Sequence, residues 1–205
     1  MRTLCVIPAR SGSKRLPDKA ILPFAGTTLL EITCRQANRL FEDIVFSSDS
    51  QDYLDLAAEC YVPYLRLRPP ELATDDASSI SVVRDALEWM EAQKGVRYDT
   101  IVLLQITSPL RLDEDIEIVL DNIAGYPLAS ACNRKFILDM GNNGFPRDRP
   151  QLNGAVFAYP RDSVFSFNGI HDVIAVAGNE KRSVDIDTEF DFKVAEFIYK
   201  EGLHK

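Results

Sequence analysis

Apolar residues follow two alternating periods along most of the chain. Short apolar runs predict buried strands over residues 3–7, 44–46, 100–104, 155–159 and 173–176. Apolar positions at helical spacing predict helices over residues 29–40, 53–60, 79–90, 116–123 and 190–199. Strands that alternate with helices favour an α/β fold. The near-continuous apolar character of the strands favours a mostly parallel sheet, because such strands are covered on both faces.

One stretch breaks this alternation. Residues 134–152 contain the turn-forming run Gly141-Asn142-Asn143-Gly144, together with two prolines and three arginines. This composition predicts a mobile loop or a short excursion from the fold. With 205 residues in all, the chain is expected to form a single domain over residues 1–205.

Composition narrows the setting in which the protein works. The longest apolar runs fall far short of the roughly 20 residues that span a bilayer, and the four cysteines show no CxxC spacing. These features predict a cytoplasmic protein with reduced thiols and no membrane association. Only two histidines are present, which disfavours a histidine-rich zinc site, and the net charge of -8 disfavours nucleic-acid partners.

The charge is unevenly distributed along the chain. Residues 1–20 hold five basic residues and one acidic residue, a balance of +4, whereas the remainder holds 18 basic and 30 acidic residues, a balance of -12. The basic residues cluster in the loop that follows the first predicted strand. The loop residues suited to an anion are Arg10, Ser11, Gly12, Ser13, Lys14, Arg15 and Lys19. Their hydroxyl groups, glycine backbone and positive charge predict phosphate binding, although a solvated basic loop is the simpler alternative.

Two further segments carry side chains that could contact a ligand. In the first, Arg68 precedes two prolines that stiffen the chain, and it could reach a nucleobase or a phosphate. Ser78 or Ser79 in the same segment could equally serve only as the cap of the next helix. In the second, Gln105 and Thr107 lie where a strand meets the crevice in which such sheets bind ligands, but the segment also suits an ordinary turn.

Two carboxylates near the end of the chain suggest a metal site. On an extended segment, Asp185 and Asp187 point to the same side. Hard oxygen ligands beside phosphates are what Mg²⁺ prefers. The alternative is that Asp187 or Thr188 caps the last helix, with Glu189 and Asp191 in its first turn, and both interpretations can hold together.

Taken jointly, these motifs resemble those of the acylneuraminate cytidylyltransferases, the CMP-sialic acid synthetases, including the enzymes that activate pseudaminic and legionaminic acids. The matching segments are Ile7-Pro8-Ala9-Arg10-x-Gly12-Ser13-Lys14-x-Leu16-Pro17-x-Lys19, Arg68-Pro69-x-x-Leu72-Ala73-x-Asp75-x-Ala77-Ser78-Ser79, Gln105-x-Thr107-Ser108-Pro109-Leu110-Arg111, Asn153-Gly154-Ala155 and Asp185-Ile186-Asp187. The stretch Arg15-Leu16-Pro17-x-Lys19 is also similar to that of the KDO cytidylyltransferases.

The resemblance implies a three-layer, Rossmann-like nucleotidyltransferase fold and a cytoplasmic enzyme of surface polysaccharide biosynthesis. Such an enzyme joins CTP and a 2-keto-3-deoxy sugar acid to give a CMP-sugar and pyrophosphate, with Mg²⁺ as cofactor. The resemblance also implies that residues 134–152 form a reduced dimerisation and sugar-binding excursion, and hence a homodimer.

The resemblance also assigns roles to individual residues. It implies that Arg10, Lys19 and Asp187 are catalytic and that Asp185 and Asp187 bind the metal. The implied nucleotide-binding residues are Arg10, Ser11, Gly12, Ser13, Lys14, Lys19, Arg68 and Ser78. The implied sugar-binding residues are Gln105, Arg134, Lys135, Asn153 and Phe157. Relatives usually carry asparagine at the position of Ala20 and often tyrosine at the position of Phe157.

Two other functions fit parts of the pattern. A glycosyltransferase of the GT-A type would use Asp185-x-Asp187 as its metal motif. The concentrated basic loop argues against it, because a free triphosphate needs more positive charge than a diphosphate sugar does. A non-catalytic nucleotide-binding module would bind CTP without releasing pyrophosphate.

Overall fold

A computed structural model describes the backbone of residues 1–74, 76–125, 128–140, 146–166, 173–177 and 180–205. The side chains of residues 128–129, 131–140, 146–153, 173–177 and 180 are outside this description. The strands are β1 (Thr3–Ala9), β2 (Asp43–Ser48), β3 (Tyr64–Leu67), β4 (Thr100–Leu103), β5 (Leu128–Met140), β6 (Pro146–Pro160) and β7 (Val173–Ala177).

Six α-helices connect or follow these strands in the described ranges. They are α1 (Leu29–Leu40), α2 (Gln51–Glu59), α3 (Ser79–Lys94), α4 (Asp113–Asp121), α5 (Arg161–Ser166) and α6 (Glu189–Lys200). Short 3-10 turns lie at Pro70–Leu72 and Glu180–Arg182. Helices α1, α2, α3 and α6 each begin at a hydroxyl side chain that accepts a hydrogen bond from the first turn, which satisfies a backbone donor that the helix leaves unpaired.

The strands form one sheet in the order β3-β2-β1-β4-β6-β5-β7. Strand β6 runs antiparallel to its neighbours β4 and β5, and every other pairing is parallel. The prediction of an α/β fold with a mostly parallel sheet is therefore confirmed. The antiparallel strand is possible because β5 and β6 are consecutive and need no crossover helix.

Helices cover both faces of the sheet, so the fold has three layers. One apolar cluster joins the sheet to α1, α2, α4 and α6, and includes Ile7, Phe46 and Ile116. A second cluster joins the opposite face to α3 and α5, and includes Val6 and Leu87. Side chains of β1 alternate between the two clusters, as the period of two along a strand requires.

Three elements were not predicted from the sequence: β3, β5 and α5. Strand β3 is short and half-buried at the sheet edge, where burial on both faces is not required. Residues 134–140 and 146–152 pair as parts of β5 and β6, while 141–145 lie outside the described residues. The role of this stretch in dimerisation or sugar binding stays a prediction.

None of the helices in the described part of the chain has the length and hydrophobicity needed to cross a bilayer. Cys5, Cys34 and Cys60 are free thiols.

Parallel strands bring the predicted motifs to one edge. The loops that follow β1, β2 and β4 leave the sheet together at its carboxyl edge, where α/β sheets bind ligands. The segment before α6 reaches the same edge, because the backbone N–H of Ile186 donates to the carbonyl oxygen of Thr107 at 2.9 Å.

Candidate active site

A cavity of about 650 Å³ opens at this edge of the sheet. It is lined by Pro8, Ala9, Arg10, Ser13, Lys14, Arg15, Lys19, Gln105, Ile106, Thr107, Asp185 and Asp187. Three of the predicted motifs therefore meet in one place, although they are far apart in the sequence. The fourth, around Arg68, lines an adjoining cavity of about 240 Å³ that shares Pro8 and Arg10 with the first.

The basic loop is fastened to the end of β2. The backbone N–H and the hydroxyl of Ser11 donate to the two carboxylate oxygens of Asp49 at 2.8 and 2.9 Å. Gly12 follows with φ of +66°, a conformation that favours glycine. Ser11 and Gly12 do not line the cavity, so the structure gives them a part in shaping the loop. Sequence reasoning missed Asp49, whose only signal was its position just after an apolar strand.

A second anchor orients Lys19. The hydroxyl of Tyr53 donates to Asp18 at 3.2 Å, and Asp18 adopts a left-handed φ of +51°. This conformation is costly for a residue other than glycine. The bond from Tyr53 helps to hold it, and Lys19 next along the chain turns into the cavity.

Positive and negative side chains that line the cavity contact each other. The ammonium group of Lys19 donates to the carbonyl oxygen of Ile186 at 2.6 Å and lies 3.6 Å from Asp187 Oδ1. The guanidinium of Arg15 contacts Asp187 Oδ2 at 2.8 Å. The side chain of Lys19 is only 15% exposed, whereas that of Arg15 is 68% exposed, so Lys19 is the better fixed of the two cations.

The hydrogen bonds that cap α6 use the side chains of Thr188 and Asp191 and not the carboxylate of Asp187. Thr188 accepts from the backbone N–H of Asp191, and the Asp191 carboxylate accepts from the N–H groups of Thr188 and Asp187. This reciprocal box satisfies the helix start. The capping interpretation is thus confirmed for Thr188, and it coexists with two carboxylates that face the cavity.

The folded protein disfavours ionisation of the Asp185 carboxyl. Loss of water against the cavity wall raises the pKa of its carboxyl, and the neighbouring charge of Asp187 raises it further. A hydrogen bond from Thr107 and the charge of Lys19 oppose the rise. Like charges held this close are typical of a site that concentrates negative charge for a cation.

The Asp185→Asn variant is expected to be more stable than the wild-type protein at pH 7. Because folding raises the pKa, the native carboxyl still holds its proton at pH values where the unfolded chain has lost it. Stability therefore falls as pH rises from about 4, the ordinary aspartate value, through the raised native value. The increase in Tm should be present at pH 7 and should vanish at pH values below about 4.

Asp113→Asn provides the matched control. Hydrogen bonds from Arg39 lower the pKa of Asp113, so its carboxylate stabilises the fold above about pH 4. The same substitution should here lower Tm at pH 7, with a loss that fades on acidification. A lower Tm for Asp185→Asn at pH 7 would contradict the cost assigned to that carboxylate.

The side chains of Gln105 and Asp185 lie close to the backbone of β6. Gly154 has φ of +74°, and a Cβ atom there would lie 3.2 Å from Gln105 Oε1 and 3.8 Å from Asp185 Oδ2. A side chain at this position would therefore displace Gln105 or close part of the cavity. The left-handed backbone and the lack of space for a Cβ atom account for the glycine at the centre of the motif at residues 153–155.

The other four residues predicted to bind the sugar lie in β5 and β6. Arg134 and Lys135 lie in β5 and Asn153 lies in β6, with side chains outside the described part. Phe157 does not line the cavity, because it packs with the second apolar cluster and stacks on Tyr159 at 6.5 Å between ring centroids. Alternation along β6 accounts for this, since Val156 and Ala158 take the opposite face.

Arg68 joins several chain segments beneath the smaller cavity. Its guanidinium donates to the carbonyl oxygens of Ala9, Ser47 and Leu72. Burial lowers its pKa. The hydroxyl of Ser78 caps α3 by accepting from Ser81, which confirms the capping prediction, while its neighbour Ser79 lines the smaller cavity.

Comparison with known proteins identifies a family match over most of the chain. The sequence model of the cytidylyltransferase family matches residues 4–129. A pseudaminic acid cytidylyltransferase of Campylobacter jejuni is 37% identical over 57% of this chain and 50% of its own. An N-acylneuraminate cytidylyltransferase of Streptococcus agalactiae is 31% identical over 94% of this chain and 52% of its own. The chain thus spans about half the length of these curated relatives.

Solved structures agree on the fold. A CMP:2-keto-3-deoxy-manno-octonic acid synthetase complexed with CTP superimposes with a TM-score of 0.70, covering 98% of this chain and all of that one at 17% identity. A cytidylyltransferase from Leptospira borgpetersenii covers the whole chain with a TM-score of 0.60 at 18% identity. The expected nucleotidyltransferase fold is therefore confirmed.

Proposed function

The chain belongs to the cytidylyltransferase family, and we propose that it transfers the CMP group of CTP to a 2-keto-3-deoxy sugar acid of the sialic acid type, with release of pyrophosphate. The observation that carries this proposal is the cavity in which a basic loop faces two carboxylates. A triphosphate and a divalent cation are the ligands that such an arrangement fits. The named relatives, which act on pseudaminic and N-acylneuraminic acids, support the choice of a sugar acid.

The two adjoining cavities suit the two ends of a nucleoside triphosphate. We place the phosphates in the larger cavity against Arg10, Ser13 and Lys19, because these groups supply charge and donors there. We place the cytosine in the smaller one beside Arg68 and Ser79. Pro8 and Arg10 line both cavities, so the ribose would lie over the end of β1.

Asp185 and Asp187 would bind Mg²⁺ together with the phosphates of the substrate. Among the described residues, no group of three or more histidine, cysteine, aspartate or glutamate side chains could hold a metal. Two carboxylates with substrate phosphates are nevertheless a usual magnesium environment, and the raised pKa of Asp185 is what a nearby cation would relieve. Asp185 and Asp187 would hold the ion, which when bound supplies positive charge to the phosphate oxygens.

The chain's own residues would then position the reactants. The anomeric hydroxyl of the sugar acid loses its proton to solvent water as its oxygen attacks the α-phosphorus, the new P–O bond forms, and the bond to the pyrophosphate oxygen breaks. Lys19 and Arg10 stabilise the negative charge that develops on the leaving pyrophosphate. Gln105, which lines the same cavity, would orient the sugar.

Gly154→Ala tests the sugar side. Its left-handed backbone and close approach to Gln105 predict a stability loss of about 1 kcal/mol and a KM for the sugar acid raised about tenfold or more. Gly95→Ala is the matched control, since Gly95 has φ of +63° but open space around its Cβ direction. It should lose similar stability and keep its KM. Equal KM values in both variants would remove Gly154 from the sugar site.

Nucleotide preference is the direct test of the proposed ligand. Calorimetric titration with CTP, UTP, ATP and GTP in the presence of Mg²⁺ should show the tightest binding for CTP. CDP should bind more weakly, because it has one fewer phosphate for the basic loop. Equal affinity for CDP and CTP would favour the GT-A alternative, and absence of binding would overturn the assignment of the cavity.

A cytoplasmic location and a homodimer built through residues 134–152 complete the proposal. Light scattering of the purified chain tests the dimer.

A further inference from the structure

The sheet opens beside the cavity. Strands β4 and β6 pair in register from Thr100 opposite Pro160 to Leu103 opposite Phe157. The same register, continued by two residues, would place Gln105 opposite Ala155. Instead β4 ends at Leu103 and Gln105 turns to the cavity wall. The cavity thus begins where this pairing stops.

One side chain occupies the opening. Nη1 of Arg111 donates both to the carbonyl oxygen of Gln105, at 3.2 Å, and to that of Ala155. Its Nε donates to Gln36 Oε1 at 2.9 Å. The guanidinium thereby bridges two carbonyl groups that would otherwise lie in the continued ladder.

The position is an expensive one for a cation. Arg111 is 4% exposed, and burial lowers its pKa to about 10. In the described part of the chain, its hydrogen-bond partners are neutral carbonyl and amide oxygens, and Nη2 has none. A buried charge without a directly bonded carboxylate seldom contributes to stability, so its value lies in the shape that it maintains.

We propose that Arg111 is a positioning residue that holds β4 and β6 apart and so fixes Gln105 relative to Gly154 at the sugar-acid side of the cavity. The inference rests on the proposed function for its kinetic consequence. Its effect is expected on the sugar acid and not on the nucleotide, because the cavity-lining residue to which Arg111 is hydrogen-bonded is Gln105. A residue that merely stabilised the fold would affect both substrates alike.

The kinetic test uses Arg111→Ala with Arg39→Ala as its control. Arg111 and Arg39 both line a third cavity, of about 330 Å³, but Arg39 pairs with Asp113 at the surface. Arg111→Ala should raise the KM for the sugar acid roughly 10- to 100-fold and change the Kd for CTP less than about twofold. Arg39→Ala should change neither. An unaltered KM for the sugar acid, or equal losses for both substrates, would overturn the inference.

This third cavity also permits chemical rescue, because Arg111 forms part of its wall. Millimolar guanidinium chloride should lower the raised KM of Arg111→Ala, whereas sodium chloride at the same ionic strength should not. Rescue by both salts, or by neither, would contradict the assigned role. If the alanine variant does not fold, Arg111→Lys takes its place, since one ammonium group cannot reproduce the fork of donors.

A structural readout separates this inference from the proposed function. If the wild-type chain turns over no sugar acid, the proposed function fails, and a crystal structure of Arg111→Lys still decides the inference. Displacement of Gln105 relative to Gly154 by about 1 Å or more, the scale at which positioning affects catalysis, would support it. Unchanged positions of both residues would overturn it.

Discussion

Asparagine in place of Asp187 is expected to lower kcat by at least about 100-fold while the protein remains folded. Asp187 is the carboxylate that both Arg15 and Lys19 approach, and with Asp185 it would hold Mg²⁺. The amide keeps the size of the side chain and removes its charge. The fold should survive, because an ion pair as exposed as that with Arg15 contributes about 0–1 kcal/mol.

Asp162→Asn is the matched control for this substitution. Asp162 is also an aspartate paired with arginines, Arg97 and Arg161, but it lies on α5 away from the cavity. Pyrophosphate release should continue at the wild-type rate in Asp162→Asn, and circular dichroism should show both variants folded. Wild-type turnover by Asp187→Asn would remove this residue from the metal site.

Methionine in place of Lys19 should lower kcat/KM about 100- to 1000-fold, the loss that follows removal of a preorganised charged donor. The ammonium group is held by the carbonyl oxygen of Ile186 and lies largely out of solvent. Its charge is therefore screened less than that of Lys14 or Arg15, both of which are exposed. Methionine keeps the length of the stem and removes only the cation.

Two further variants define the role of Lys19. Lys193→Met removes an equivalent charge from the exposed face of α6, where Lys193 pairs only with Glu189 among the described ion pairs, and should leave kcat/KM unchanged. Lys19→Arg should recover only part of the loss, because a planar guanidinium does not reproduce a point charge. Full activity in Lys19→Met would show that Arg10 and the metal suffice.

The strands and helices that were predicted from the sequence are those whose side chains form the apolar core. Buried strands such as β1 and β4 are continuous apolar runs because helices cover both faces, and the amphipathic pattern of α1 and α3 marks the faces that they bury. Strands β3 and β5 were not predicted because they lack this continuous apolar pattern. Arg66 interrupts β3, and Asn133, Arg134 and Lys135 divide β5 into short apolar pieces, so neither strand is continuously apolar.

In the candidate site, the residues that were predicted also differ in kind from those that were missed. Lys19 was predicted because basic residues cluster after an apolar strand, and Asp187 was predicted because it and Asp185 are carboxylates two residues apart. Asp49 and Tyr53, which hold the basic loop, were missed because their partners lie more than 30 residues away. Phe157 was placed in the sugar site by resemblance alone, and the direction of its side chain depends on the register of β6.

Pyrophosphate release from CTP reports directly on the proposed transfer of CMP to a sugar acid. The purified chain is incubated with CTP, Mg²⁺ and in turn N-acetylneuraminic, legionaminic, pseudaminic and KDO acids, with ATP, GTP and UTP as controls. We predict release with CTP and at least one of these acids, together with a CMP-sugar in equal amount. Binding of CTP without release for any acid would contradict it and favour a binding module.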